Sequence, residues 1–204
     1  MLSLPINDQL SNLQAWQQNV FCMALAEQNI THFKMFSQAI GSEHGETAEN
    51  ILQLFWEKLT VKGAKINFTI QEENFDAIIP ESNDYDFYGV YPAVDFCVIT
   101  NCIFNSFSTK SKEEALNASQ TSFATIASFI ELQTDQEIDE ATLLLEPLFI
   151  EHLAVQETLL KMLNNERSPE LIKSIRAYIK SLESTNIGIS TVDISWSMFR
   201  TVNF

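Results

Sequence analysis

Residues 80–95 read Pro80-Glu-Ser-Asn-Asp-Tyr-Asp-Phe-Tyr-Gly-Val-Tyr-Pro-Ala-Val-Asp95 and join two predicted helices. Proline lacks the amide hydrogen that a helix interior needs but fits a first turn, so we expect one helix to stop at Pro80 and another to start at Pro92. The connection is rich in aromatic rings and carboxylates. A connection this apolar either packs into a core or contacts a partner, because contiguous exposed apolar surface is uncommon on monomers. Packing is the simpler explanation, since aromatic clusters are usually core.

The composition favours one soluble domain. With 204 residues and 46% hydrophobic content, the chain can bury one sizeable core, and no linker-like segment divides it. The sequence has no basic residue ahead of an apolar run at its start, and no uncharged apolar stretch reaches the roughly twenty residues of a membrane span. Three cysteines without a Cys-x-x-Cys pair predict reduced thiols. We therefore expect a cytoplasmic protein that does not enter a membrane.

The negative charge is concentrated in the middle of the chain. Residues 67–160 hold seventeen Asp or Glu against two Lys, a balance of −15, which is the whole formal net charge. Such a field favours a basic protein partner and disfavours direct nucleic-acid binding. A solvated acidic surface without a partner is the simpler alternative.

Hydrophobic residues spaced by three and four positions predict an all-α fold. Together with capping signals at Asn7 or Asp8, Thr69, Ser111, Thr134 and Ser168, they indicate helices over the following residues: 7–28, 31–40, 48–61, 70–79, 92–107, 112–132, 135–145, 147–163 and 169–184. We expect the almost uncharged residues 92–107 to form the central, most buried helix. The predicted architecture is a single-domain helical bundle of about eight or nine helices, spanning residues 1–190.

The spacing of hydrophobic residues changes in the C-terminal segment. Val192, Ile194, Trp196 and Met198 alternate with polar residues, which is typical of a strand. We expect residues 191–204 to form an extended C-terminal tail. It packs on the bundle or pairs with a second copy in a homodimer, because a lone strand leaves backbone groups unpaired.

No complete catalytic or metal-binding motif is present in the sequence. The three histidines do not fall in the spacings that build iron or zinc sites in helices, and no phosphate loop or nucleophile elbow occurs. Glu151 and His152 are assigned to a solvated helix face. The sequence therefore predicts no catalytic residue, no metal and no cofactor, and favours a non-enzymatic protein that binds a protein partner through its acidic central region.

The alternative is a small-ligand site or an enzyme. Its residues come from the basic stretch 56–65 and from the 80–95 connection: Trp56, Glu57, Lys62, Lys65, Asp84, Tyr88, Tyr91 and Asp95. This site requires both stretches to converge on one pocket. Structural ion pairs between the lysines and the carboxylates are the simpler explanation.

These stretches also carry a family resemblance. The segments Leu59-Thr-Val-Lys-Gly-Ala-Lys-Ile-Asn-Phe68 and Tyr88-Gly-Val-Tyr-Pro-Ala-Val-Asp95 resemble the YjaG-like proteins, a bacterial family of unknown function. The similarity runs from the helix of Trp16 to Gly188, and the tail after about Ser190 lies outside it. The resemblance implies an all-helical fold in a cytoplasmic setting. It implies no activity and assigns no site residues.

Overall fold

The protein is described from a computed structural model, which covers residues 1–108 and 113–191. Within these residues the chain forms nine α-helices and a short 3-10 turn at Ser82–Asp84. The helices are α1 (Asn7–Ser11), α2 (Ala15–Ala39), α3 (His44–Thr60), α4 (Phe68–Asp76), α5 (Val90–Ser108), α6 (Glu114–Thr134), α7 (Glu140–Leu143), α8 (Pro147–Leu163) and α9 (Pro169–Ser181). The predicted all-α bundle is confirmed.

Helix α2 lies at the centre of the bundle and contacts α3, α5, α6, α8 and α9. The prediction that residues 92–107 form the central helix is therefore wrong in its choice of helix, although α5 is packed against α2 and α6. The reason is chemical: polar side chains such as Gln18, Gln28, Asn29 and His32 are buried along α2. These polar residues give the sequence of α2 the pattern of an amphipathic helix. The sequence does not show that their side chains are buried.

Several helix boundaries differ from the predicted ones. Residues 7–28 and 31–40 were expected to be two helices, whereas α2 runs unbroken from Ala15 to Ala39 after the separate short α1. At its start the Gln14 amide donates to Gln17 Oε1 (2.7 Å), which satisfies a backbone group that the helix leaves free. At its end Gly41 adopts a φ of +69°, a left-handed conformation that favours glycine.

Two predicted caps are wrong. Helix α4 is capped by Asn67, whose Oδ1 accepts from the Ile70 amide (3.4 Å), and not by Thr69. Thr134 is the last residue of α6, and the four-residue α7 is capped by Asp139. The cap at Ser168 is confirmed, since its hydroxyl accepts from the Leu171 amide (3.1 Å). The predicted cap at Ser111 lies outside the described residues.

A chain of aromatic rings fills the core between α2, α3, α4 and α5. Phe96 of α5 lies 5.3 Å from Phe33 of α2 and 6.4 Å from Phe75 of α4, between ring centroids. Further along α5, Phe104 lies 4.9 Å from Phe55 of α3. Helix α5 is long and apolar enough to span a membrane, but most of it is buried within the bundle. This is the pattern of a core helix in a helical bundle.

The described chain ends in a tight loop after α9. Ser184 and Ser190 form an isolated bridge, and the Thr185 amide donates to the Ile189 carbonyl (2.9 Å). Thr185 and Asn186 are buried in this loop, so it closes one side of the bundle. The strand-like segment 192–204 lies outside the described residues. Its extended conformation and its role in a homodimer therefore stay predictions.

Candidate functional site

The structure divides the predicted site residues into separate groups along α5. The rings of Phe55 and Phe107 lie 5.5 Å apart, so the second half of α3 is beside the C-terminal end of α5. Tyr91 and Asp95 belong to the N-terminal end of α5. At 1.5 Å per helical residue, the two ends are roughly 20 Å apart. The structure thus does not bring the 56–65 stretch and the start of α5 together.

Trp56 belongs to an ion cluster that joins α2, α3 and α9. Its indole nitrogen donates to Glu27 Oε2 (2.6 Å). The same carboxylate accepts from Arg176 Nη2 (3.3 Å) and pairs with Lys180 Nζ (3.2 Å). The Arg176 guanidinium also lies 5.3 Å from the centroid of the Trp56 ring. We call Glu27, Trp56, Arg176 and Lys180 the Glu27 cluster, in which every charge has an opposite partner.

The remaining residues of the basic stretch do not reach the 80–95 connection. Glu57 accepts from Gln53 Nε2 (2.8 Å), and Lys62 and Lys65 are exposed beyond the end of α3. Over the described ranges 1–108 and 113–191, the ion pairs are Lys34–Glu49 and the two at Glu27. The expected pairing of these lysines with the carboxylates of residues 80–95 is not found there.

A second group forms at the start of α5, where it meets the end of α6. The Tyr88 ring lies 6.0 Å from Tyr91 and 6.3 Å from Phe129 of α6, between centroids. Asp95 Oδ2 accepts from the Thr125 hydroxyl (2.8 Å). We call Tyr88, Tyr91, Asp95, Thr125 and Phe129 the Asp95 surface. It contains three of the eight predicted site residues.

Burial perturbs two polar groups of the Asp95 surface, the Asp95 carboxyl and the Tyr88 hydroxyl. Burial raises the pKa of Asp95 to about 6, although the hydrogen bond from Thr125 acts against this shift. Burial and the neighbouring Asp95 charge raise the pKa of Tyr88 to about 12. The buried Tyr88 hydroxyl has no hydrogen-bond partner, and no lysine or arginine in the described part of the chain pairs with Asp95. Among the described residues, this partly buried carboxylate thus has no cationic partner.

The aromatic residues of the 80–95 connection are divided between core and surface. Tyr85 packs edge-on against Phe36 of α2, with 4.9 Å between centroids, as the packing explanation expects. Tyr91, however, is 54% exposed and Phe87 is 36% exposed. Asp84 and Asp86 are exposed in the same connection. An apolar surface with carboxylates beside it therefore remains open to solvent.

A buried polar network was missed at the sequence level. His152 of α8 is only 2% exposed, so its assignment to a solvated helix face is wrong. Its Nε2 lies 2.8 Å from both Ser122 Oγ and Gln156 Nε2, and Asn186 Nδ2 donates to the Ser122 carbonyl (2.8 Å). A signal was present: residues 152 and 156 continue the helical spacing of the buried Phe149 towards residue 160.

The three cysteines are free, as predicted, and all three are buried. Cys102 lines a groove of about 490 Å³ between α5 and α6, together with Glu114. Burial, followed by the charge of Glu114, raises the pKa of Cys102 to about 12. Because the thiolate is the nucleophilic form, this thiol is unsuited to covalent chemistry at neutral pH.

Comparison with known proteins places the chain in a family. The model for "Protein of unknown function (DUF416)" matches residues 5–190. The chain belongs to the DUF416 family. It is 37% identical to the uncharacterized protein YjaG of Escherichia coli K12 over 192 residues, 93% of this chain and 98% of that protein. An uncharacterized protein of Haemophilus influenzae is 36% identical, over 91% of this chain and 96% of the relative.

A solved DUF416 structure has the same architecture. The crystal structure of a DUF416 family protein from Shewanella baltica superposes with a TM-score of 0.84 at 27% identity, covering 93% of this chain and 100% of that one. The resemblance to YjaG-like proteins is thereby confirmed. The DUF416 match contains the Glu27 cluster, the Asp95 surface and the loop at residues 184–190, and it stops before the predicted tail. Neither the family description nor the relatives' names supply an activity.

Proposed function

We propose that this DUF416 protein is a non-enzymatic cytoplasmic protein that binds a basic segment of a protein partner at the Asp95 surface. The observation that carries the proposal is the half-buried Asp95 carboxylate, which has an exposed tyrosine ring beside it and no cation from residues 1–108 or 113–191 paired with it. A lysine or arginine of the partner supplies the missing cation. Aromatic residues and arginine are enriched in protein interfaces, which suits this pairing.

The rings of the Asp95 surface favour the same occupant. A cation over a tyrosine face is attracted by the ring, and the attraction grows when the pair is shielded from water. The Tyr91 ring is exposed and available for this contact, and the Tyr88 ring lies next to it. Binding of a cation also removes the cost of holding Asp95 ionised in a partly buried place. The partner contact therefore stabilises the charged form of Asp95.

The surrounding charge favours a basic partner over an acidic one. Residues 67–160 contain seventeen acidic residues, and both lysines of this region, Lys110 and Lys112, lie outside the described residues. A field of one sign speeds the approach of an oppositely charged protein. Because salt screens exposed charges over roughly 10 Å at 0.1 M, the complex weakens as ionic strength rises.

Site-specific photocrosslinking in living cells tests the proposal. A photoreactive phenylalanine analogue replaces Tyr91 in one variant and Ile150 of α8 in another, and these two side chains are equally exposed at 54%. We expect crosslinks from position 91 to basic segments of a partner, fewer crosslinks from position 150, and release of the uncrosslinked partner at high salt. Equal crosslinking at both positions, or an acidic partner segment at position 91, contradicts the proposal.

The alternative function, a ligand site shared by residues 56–65 and 80–95, has less support. It needs the two stretches on one pocket, whereas the second half of α3 and the start of α5 lie roughly 20 Å apart along α5. Among its residues, Trp56 has its polar atom bound within the Glu27 cluster. Lys62 and Lys65 are exposed beyond the end of α3.

The homodimer predicted from the tail remains a separate proposal. Residues 191–204 contain Trp196 and Phe199, and leaving such side chains in water forgoes on the order of 1.5–3 kcal/mol each. Light scattering on the full chain and on a variant that ends at Ser190 tests this idea. We expect a dimer that becomes a monomer after the deletion. A full chain that is already monomeric contradicts it.

A further inference from the structure

The groove between α5 and α6, with a volume of about 490 Å³, is continuous with the Asp95 surface. Val98 lines the groove and lies three positions after Asp95 in α5. Thr121 lines its α6 side and lies four positions before Thr125. Residues three or four positions apart are neighbours on one face of a helix. Because the Thr125 hydroxyl donates to Asp95, the groove begins where the Asp95 surface ends.

The groove follows α5 towards its C-terminal end. Asn101 and Asn105 come after Val98 in its lining, and Asn117 lies on the α6 side. Asn105 is ten positions beyond Asp95, which corresponds to about 15 Å at 1.5 Å per helical residue. An extended chain advances about 3.3 Å per residue, so about four or five residues span this length.

The open side chains that α5 and α6 contribute to the groove carry no charge. They are Val98, Asn101, Asn105, Asn117, Gln120 and Thr121. Each is at least partly exposed, so a molecule in the groove can reach it. The groove is uncharged on its open side although residues 67–160 hold seventeen acidic residues. Charged residues are depleted in the centre of protein interfaces, so this surface has the composition of such a centre.

Exposed carboxamides suit the backbone of an extended peptide. An asparagine side chain carries both a donor and an acceptor, and an exposed amide can rotate to present either one. The N–H and C=O groups of an extended peptide need such partners, because no ladder satisfies them. The backbone groups of a helix are instead bonded within the helix. Asn101 and Asn117, one on each side of the groove, therefore favour an extended segment over a helix.

We propose that the α5–α6 groove binds the extended continuation of the basic segment that docks at the Asp95 surface. The cation of the partner pairs with Asp95, and about four neighbouring residues lie along the groove. Their backbone groups form hydrogen bonds with the side chains of Asn101 and Asn117. This inference rests on the proposed function of the Asp95 surface, and it adds the conformation and the length of the partner segment.

Peptides of equal charge test the length of the segment on the full chain. The probes are acetyl-Arg-amide, acetyl-Arg-(Ala)₄-amide and acetyl-(Ala)₄-Arg-amide, which extend the arginine in the two chain directions. NMR titration at low salt measures their affinities. We expect one of the longer peptides to bind at least about tenfold more tightly than acetyl-Arg-amide, because it adds backbone hydrogen bonds. It should also shift the side-chain amide signals of Asn101 and Asn117.

Two results overturn the inference, and they differ in what they mean for the Asp95 surface. If all three probes bind equally and shift the Asp95 signal, the groove inference fails while the proposed function stands. If no probe shifts the Asp95 signal, both fail.

A backbone-methylated peptide separates hydrogen bonding from length alone. Replacing each alanine of the tighter peptide by N-methylalanine removes the backbone N–H donors and preserves the charge and the number of residues. We expect most of the tenfold gain in affinity to be lost. Undiminished affinity overturns the assignment of backbone contacts.

Matched asparagine variants locate the contact. Asn101→Ala and Asn117→Ala each remove an amide from the groove, whereas Asn50→Ala removes an exposed amide of α3 outside it. We expect each groove variant to weaken binding of the tighter peptide by about fivefold and to leave binding of acetyl-Arg-amide unchanged. Asn50→Ala should change neither affinity. Groove variants that bind the tighter peptide as the parent protein does, or that weaken both probes equally, overturn the assignment.

Discussion

The Glu27 cluster and the Asp95 surface are two places where a carboxylate is withdrawn from water, and they are completed differently. Glu27 is surrounded by two cations and an indole N–H, all contributed by other helices. Asp95 has one hydroxyl partner, from Thr125, and no cation in the described chain. Both carboxylates occupy core-forming helices, so local secondary structure does not explain the difference.

The difference distinguishes a stabilising cluster from the surface that we propose as a binding site. A buried carboxylate whose partners are all internal holds helices together, and removing one partner leaves the others unpaired. A partly buried carboxylate without a cation instead lowers the stability of the free protein, and such perturbed groups are found more often at functional sites. Glu27 is therefore completed within the fold, whereas the cation for Asp95 is what we propose a partner supplies.

The largest expected effect comes from breaking the Glu27 cluster. We expect Glu27→Ala to lower the free energy of unfolding by about 3 kcal/mol, because it removes the carboxylate that pairs with Arg176 and accepts from the Trp56 indole. Urea denaturation measures the change. Glu49→Ala is the control, since the exposed Lys34–Glu49 pair contributes less than about 1 kcal/mol. Equal losses of unfolding free energy in the two variants would contradict a structural role for the Glu27 cluster.

A smaller effect of opposite sign is expected at Asp95. Its folded pKa of about 6 lies above the ordinary 3.8, so the folded state binds more protons between these values. Stability contributed by the protonated form is therefore lost as pH rises from about 4 to 6. We expect Asp95→Asn to raise the free energy of unfolding at pH 7 by about 1 kcal/mol.

The pH profile distinguishes this cause from a general effect of the substitution. Urea denaturation at a series of pH values should show the advantage of Asp95→Asn shrinking as pH falls through 6 and vanishing near 4. Asparagine still offers an oxygen to the Thr125 hydroxyl. A variant that is less stable than the parent protein at pH 7 contradicts the account of Asp95.

The smallest effect on stability is expected at Tyr91. Because its side chain is 54% exposed, Tyr91→Ala should change the free energy of unfolding by no more than about 0.5 kcal/mol. Tyr85→Ala in the same connection should cost about 1–2 kcal/mol, since that ring packs on Phe36. Thermal denaturation compares the two variants. Equal costs would mean that both rings serve the core and would weaken the case for a surface.

The sequence predicted the helices better than it predicted their environment. The spacing of apolar residues and the Ser168 cap were sufficient for most helices, because these signals are local. Burial is not a local property. Gln28 and His152 are polar residues of the kind usually found at a surface, but both are buried in the bundle. The sequence therefore does not identify α2 as the central helix.

The sequence predicts only the local part of the candidate site. Tyr88, Tyr91 and Asp95 are close in the chain and share the start of one helix, so their grouping follows from sequence spacing. The contributions of Thr125 and Phe129 depend on how α6 packs against α5, which no local pattern encodes. The separation of Trp56 from Tyr88 likewise depends on the path of α3 beside the far end of α5.

The most direct test of the Asp95 surface is an NMR titration of its carboxyl carbon with and without a basic ligand. The peptide acetyl-(Gly-Arg)₃-amide serves as the probe, at saturating concentration and low salt. The account predicts that the pKa of Asp95 falls from about 6 towards 4 and that the Tyr91 ring signals shift, because a cation favours the ionised carboxylate. An Asp95 pKa that stays near 6, with unshifted Tyr91 signals, would contradict the central claim.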